Sequence, residues 1–258
     1  MNETLSPETI SKGLTTQILG QDIVYYEAIG STNDAAKQLA RQGAAEGTLI
    51  VADHQTAGKG RQGRTWIAPP SSSLLLSLIL YPSLTPSQLP RLTMAGALSV
   101  AQAIEEFSEL SVHFKWPNDI LLRNKKAGGI LIEAGTSGET TDYAIVGLGL
   151  NVNLDVRQIP ELADTATSIS LELGRRVSRV DLLRLFLKFM EAEYRLLEHG
   201  ESPHDRWAAR LPMLGQRVKV ATPWGDESGR AEGVDAEGAL ILRRDDGTAA
   251  YITVGDVT

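Results

Sequence analysis

The segment Gln55-Thr-Ala-Gly58-Lys59-Gly60-Arg61-Gln62-Gly63-Arg64-Thr-Trp66 interleaves three cations with three glycines. Glycine allows backbone conformations and close approaches that side chains forbid, and clustered like charges repel unless an anion compensates them. Such a loop suits a phosphate or a carboxylate. Successive amides can form a concave nest for oxygen atoms, and arginine adds charge-assisted, bidentate hydrogen bonds. Gly58-x-Gly60-x-x-Gly63 has the spacing of a dinucleotide fingerprint, but that fingerprint needs a helix to open at its last glycine, and Pro69, Pro70 and three serines follow instead. A kinase glycine loop would require Val two places beyond the last glycine, and a Walker loop has another spacing; neither is present. The bland alternative is a solvated turn with ordinary surface charges, and the regular interleaving weighs against it.

A second cluster follows. Lys115-Trp116-Pro117-Asn118-Asp119 ends a strand, with Pro117 removing a ladder donor and Asn118-Asp119 able to hold a turn. Lys126 precedes Gly128-Gly129 and an apolar run, so the stretch reads as a hairpin whose base carries two lysines and one carboxylate. A lysine there can balance charge on a reacting phosphate or carboxylate, while Asp119 can hold Mg²⁺ or orient the lysine. Gly147-Leu-Gly149-Leu-Asn151 closes another apolar strand. Either its glycines leave room for a passing backbone, or Asn151 offers hydrogen bonds to a ligand. Gly30-Ser31-Thr32-Asn33 reads first as the N-cap of a helix, a role compatible with ligand contact.

The elements that must position these groups come from a chain of 258 residues, 42% hydrophobic and 22% charged, which excludes a disordered or fibrous protein. A formal net charge of −7 disfavours a surface devoted to nucleic acid or anionic lipid, so an anion site must be a local island. The lack of cysteine excludes disulfides and a Cys nucleophile. No apolar run approaches the roughly 20 residues that span a bilayer, and no signal peptide is recognisable, so the expected location is the cytoplasm. Strands are predicted at 48–52, 74–81, 112–115, 130–134 and 143–152, and helices at 34–42, 87–107 and 179–198, the last capped by Ser178 and ended by Gly200. Beyond Met213 the chain turns to short strands and glycine turns, with Asp246-Gly247 a hairpin signal, as in a small SH3-like barrel. The expected division is 1–212 and 213–258.

In their order, Gly30-Ser-Thr-Asn33, Gly58-Lys-Gly-Arg-Gln-Gly-Arg64 with Trp66, Lys115-Trp-Pro-Asn-Asp119, Lys126-Ala-Gly-Gly-Ile-Leu131 and Gly147-Leu-Gly-Leu-Asn151 resemble the biotin protein ligase family, from about Ile23 onward. The resemblance implies an α+β fold: a catalytic domain like class II aminoacyl-tRNA synthetases, with a mixed sheet and flanking helices, plus a C-terminal SH3-like barrel. It implies ATP and biotin as substrates with Mg²⁺, biotinyl-5′-AMP as intermediate, and as acceptor a lysine of the biotin carboxyl carrier protein of acetyl-CoA carboxylase or another carboxylase. Carried over by position, Ser31, Thr32, Asn33, Gln55, Lys59, Gly60, Arg61 and Lys126 surround biotin. Arg61, Arg64, Trp66, Lys115, Asn118, Asp119 and Asn151 serve ATP, with Trp66 covering the adenine. Lys126, Arg61 and Arg64 are the catalytic cations, and Asp119 is the Mg²⁺ partner.

Two departures stand out. Lys59 replaces an arginine common in the family, which keeps the charge and loses the planar fork. The roughly twenty residues before Asp22 are too few for the DNA-binding headpiece that some members carry, so a short form without one is expected, with Leu5–Leu19 a remnant of its linker. The sequence stops at Gly255-Asp-Val-Thr258 where relatives often continue a few residues, so a basic nucleotide contact from that end is expected to be absent. No DNA or membrane partner is expected, and strand edges leave a homodimer open. The rival readings are a lipoate or octanoate transferase of the same fold and a non-catalytic biotin-sensing regulator.

Overall fold

In the computed structural model, which describes residues 4–258, the order is α1 (Pro7–Ser11), β1 (Ile23–Ile29), α2 (Thr32–Arg41), β2 (Leu49–Gln55), β3 (Ser73–Leu80), α3 (Pro90–Phe107), β4 (Val112–Lys115), β5 (Asp119–Leu122), β6 (Lys125–Ser137), β7 (Thr140–Asn151), α4 (Ile169–Leu173), α5 (Arg179–Glu198) and α6 (His204–Ala208). There follow β8 (Arg217–Thr222), β9 (Gly225–Val234), β10 (Leu240–Arg243), β11 (Ala249–Ile252) and β12 (Asp256–Val257). The first sheet runs β1-β2-β3-β7-β6-β5-β4, with β1 parallel to β2 and the other neighbours antiparallel.

Strand β3 shows why the sequence folds this way. Leu74, Leu76, Leu78 and Leu80 join the core beneath α3 and α5, whereas Ile79 packs with Ile50, Ile145 and the Ala36 and Ala40 of α2 in a separate cluster. A central strand covered by helices on both faces must be apolar throughout, hence the run of leucines. Ser77 interrupts the run in mid-strand, and its hydroxyl donates to Asn33 Oδ1 at 2.6 Å. The apolar run is thus broken where the sheet meets the start of α2.

The predicted strands and the three long helices are present, with α5 beginning at Arg179 as expected and Ser178 Oγ accepting from the Asp181 amide at 3.1 Å. The Leu5–Leu19 segment, expected as a linker remnant, is packed against the rest of the fold. Leu5, Ile10 and Leu19 are fully buried, and the Glu191 carboxylate accepts the backbone amides of Gln17, Ile18 and Leu19. The segment is part of the core.

Strands β8 to β12 form an antiparallel sheet in the order β11-β10-β9-β8-β12. At its Asp246-Gly247 turn, Asp246 Oδ1 accepts from the Thr248 amide at 2.8 Å while Gly247 takes φ +84°. Val218, Val220, Ala231, Leu240 and Leu242 continue the core of the first sheet without a break. Polar ties also cross the junction, among them the buried Trp116, which donates Nε1–H to the Gly238 carbonyl at 2.9 Å, and Arg91, which pairs with Glu237 at 2.9 Å. The α+β class holds, with a mixed sheet, flanking helices and a small C-terminal antiparallel sheet of SH3-like kind. Among the described residues, no helix is long and apolar enough to cross a membrane.

Candidate active site

The glycine loop leaves β2 and folds back on itself. Gly60 N–H bonds to the Arg64 carbonyl at 2.7 Å and Trp66 N–H to the Gly58 carbonyl at 2.9 Å. A Cβ on Gly58 would lie 2.7 Å from the Trp66 carbonyl oxygen, so a residue without a side chain is required for this closure. The expected amide nest is narrowed accordingly: the amides of Gly60, Arg64 and Trp66 are spent inside the loop.

One pocket gathers Ser31, Thr32, Asn33, Gln55, Lys59, Gly60, Arg61, Arg64, Trp66, Asn118, Asp119 and Lys126. Ser31 occupies the N-cap position of α2, yet its side chain makes no capping bond and faces the pocket. Gln55 Oε1 accepts from the Thr32 amide at 2.7 Å and from its hydroxyl at 3.0 Å, which fixes the end of β2 to the start of α2. Asn33 Nδ2 donates to Glu133 at 2.8 Å, and Lys37 bonds the same carboxylate at 2.7 Å.

Each cation meets an acid. Lys59 Nζ lies 2.6 Å from Asp34 and holds that carboxyl below its usual range. Lys126 Nζ lies 2.6 Å from Asp119 Oδ1 and 5.8 Å from the centre of the Trp66 ring, within reach of its π-face. Arg64 pairs with Asp256, whose carboxylate is also 3.5 Å from Arg61. Arg61 further approaches Asn118 Oδ1 at 3.4 Å and the Gly255 carbonyl at 3.3 Å. Its burial pushes the guanidinium below its ordinary value, against the pull of Asp256 and Asp119.

The backbone of Lys126 is clamped from the side: its N–H bonds to the Thr165 carbonyl at 3.0 Å and its carbonyl receives the Thr167 amide at 2.8 Å. Glycines in β7 make room opposite. A Cβ on Gly149 would sit 2.6 Å from the Trp66 ring, and one on Gly147 would sit 2.2 Å from Asn33 Oδ1. The Trp66 indole N–H is buried without a partner.

Two expected residues are not brought to this pocket. Lys115 is exposed because β4 alternates, burying Val112 and Phe114 and turning His113 and Lys115 outward. Asn151 is buried beside the site, where its Nδ2 donates to the Thr167 carbonyl at 3.0 Å; it braces the segment that clamps Lys126. Sequence reading missed Asp256 and Thr165–Thr167, and the room expected beside Gly147 and Gly149 is taken by the Asn33 and Trp66 side chains, not by a passing backbone. Ser77, a hydroxyl in an apolar run, is the visible hint of the link between β3 and α2. Among the described residues, no group of three or more His, Cys, Asp or Glu could hold a metal ion. Asp119 is a lone carboxylate bonded to an ammonium, which fits a Mg²⁺ carried in on phosphates and not a resident ion.

The comparisons agree with the geometry. Residues 25–151 match the biotin/lipoate A/B protein ligase family and residues 213–258 the biotin protein ligase C-terminal domain. The bifunctional ligase/repressor BirA of Bacillus subtilis (strain 168) is 38% identical over 246 residues, covering 94% of this chain and 76% of that protein. The biotin–[acetyl-CoA-carboxylase] ligase of Paracoccus denitrificans is 32% identical over 221 residues, covering 83% and 90%. A solved biotin protein ligase from Aquifex aeolicus in complex with biotin and ATP superposes with a TM-score of 0.78 at 29% identity, covering 92% of this chain and 98% of that one. Matched by family at both ends and by relatives along nearly its whole length, the chain belongs to the biotin protein ligase family.

Proposed function

We propose that this protein ligates biotin to one lysine of a biotin carboxyl carrier protein, using ATP, with both steps at the pocket described above. In the first step a biotin carboxylate oxygen attacks the α-phosphorus of ATP and the bond to pyrophosphate breaks, giving biotinyl-5′-AMP. In the second the neutral amine of the acceptor lysine attacks the activated carbonyl, the bond to AMP breaks, and an amide forms with loss of the amine's proton. No protein nucleophile takes part. What the protein must do is bring two anions together and stabilise the charge that builds on the phosphoryl oxygens, which is the work of fixed cations.

The observation that carries this reading is the meeting of Arg61, Arg64 and Lys126 on one cavity with the polar start of α2. Ser31, Thr32, Asn33, Gln55, Lys59 and Gly60 serve the biotin end, and Lys126 sits between its carboxylate and the α-phosphate. Arg61, Arg64, Asn118 and Asp119 serve the triphosphate, and Trp66 offers its face to the adenine. Mg²⁺ accompanies ATP and shields its phosphates, with Asp119 as its protein contact. Residues 1–212 form the catalytic unit and 213–258 the C-terminal one. The match of 213–258 to a biotin protein ligase C-terminal domain favours biotin over lipoate or octanoate.

Incubated with biotin, Mg-ATP and a carrier domain, the protein adds one biotinyl group, read by intact mass. Biotin-dependent exchange of pyrophosphate into ATP falls on the order of 10²-fold or more in Lys126→Ala, as for loss of a transition-state cation. An unmodified carrier, equal use of lipoate, or an unaffected variant would overturn the reading.

A further inference from the structure

We propose that Asp256 holds Arg61 and Arg64 in place of the substrate's phosphates while the pocket is empty and surrenders them when ATP or pyrophosphate arrives, a role that rests on the ATP reading above. Asp256 comes from β12, in the second sheet, yet its carboxylate lines the pocket among residues of the first. It contacts Arg64 directly, lies 3.5 Å from Arg61, and follows Gly255, whose carbonyl receives the same Arg61 guanidinium at 3.3 Å. Arg64 is otherwise largely exposed, with 64% of its side chain open to solvent. A carboxylate joining two guanidiniums at the mouth of an anion pocket has the charge and hydrogen-bonding pattern of a phosphate oxygen pair.

The arrangement can serve either to aim the arginines or to compete for them, and the position of the acid makes it do both in turn. In the empty pocket it prevents the two guanidiniums from repelling one another and keeps the loop folded onto the site. Once a polyphosphate enters, the same carboxylate is a like charge next to it, and the cations cannot satisfy both. Retreat is inexpensive in structure. β12 has two residues and lies at the margin of its sheet, paired to β8 through Asp256 opposite Ala221 and Val257 opposite Val220, with the Thr258 amide on the Lys219 carbonyl at 2.9 Å. Short margins of this kind open locally at low free energy. Asp256 is therefore a positioning residue: it acts on substrate through Arg61 and Arg64.

The test compares the full-length protein with Asp256→Asn and Asp256→Glu. Removing the charge lowers the KM for ATP about fivefold at saturating biotin and tightens inorganic pyrophosphate to a similar degree by calorimetry, with the KM for biotin unmoved, as expected for loss of one like charge near the ligand. Asp256→Glu keeps the parent values. In the parent protein, pyrophosphate speeds amide exchange at Val257 and Thr258. A KM for ATP that rises or stays put in Asp256→Asn, both KM values moving together, or slower or unchanged exchange at 257–258 overturns the proposal. A parent protein that binds pyrophosphate but makes no biotinyl-AMP refutes the proposed function instead, and the calorimetric and exchange readouts then judge the role of Asp256 independently.

Discussion

At Gly149 the margin between a working and a blocked site is one methyl group. An added Cβ would stand 2.6 Å from the Trp66 ring, and the ring cannot slide aside without leaving Lys126. Gly149→Ala is expected to expel Trp66, raise the KM for ATP about tenfold or more, and cost about 1–3 kcal/mol of stability from overpacking, measured by steady-state adenylation and urea denaturation. Gly233→Ala in β9, where a Cβ meets nothing within 4 Å, is the control. An unchanged KM in Gly149→Ala would dismiss the role of Trp66 as a nucleotide platform. The same scale shows what the sequence can disclose. The chemistry of Lys59, Arg61, Arg64 and Lys126 is legible because like charges packed among glycines repel unless an anion compensates them. Lys115 and Asn151 look as suitable by type, but the alternation of β4 turns one outward and a brace on Thr167 engages the other. Asp256 has no local signature at all, since its partners lie more than 190 residues away along the chain.

The N-terminal segment is an element held by buried Leu5, Ile10 and Leu19 and, at its end, by one carboxylate. Burial raises the Glu191 carboxyl, but the amides of Gln17, Leu19 and Ile18, with Arg195, outweigh it and hold the group below its ordinary value. A carboxyl lowered in the folded state stabilises above its unfolded pKa and loses that contribution as pH falls through the folded one. Stability is therefore expected to be flat from neutral pH down to about 4.5 as far as Glu191 is concerned, and then to fall, with Glu191→Gln shrinking the acid-side slope in thermal melts. A variant with the parent's acid slope would refute this assignment. Periodicity exposes elements that are long and amphipathic, which is why α5 is legible to the residue and β3 nearly so. It hides α1, which spans five residues, and β1, whose partly buried pattern lacks strict alternation. These elements exist because tertiary contacts hold them, and a window of sequence carries no record of such contacts.

Across the whole molecule, the segment Lys115-Trp-Pro-Asn-Asp119 also fastens the second sheet. Trp116 is buried to 1% exposure and donates to Gly238, so the turn that presents Asn118 and Asp119 leans on residues more than a hundred positions later. Trp116→Phe removes the donor, strands the Gly238 carbonyl and leaves a small void. A loss of about 2 kcal/mol is expected in chemical denaturation, together with reduced adenylation, and heat should melt both sheets in one transition because their core is shared. Two separate transitions would contradict that. The balanced ionic pairs of the pocket have a further effect on how reactants arrive. Because Asp34, Asp119 and Asp256 offset three of the four neighbouring cations at close range, a distant polyanion senses mainly the −7 envelope of the protein. Capture is thus unsteered, and moderate salt, by screening that envelope, should quicken the first encounter with ATP where an open basic cleft would be slowed.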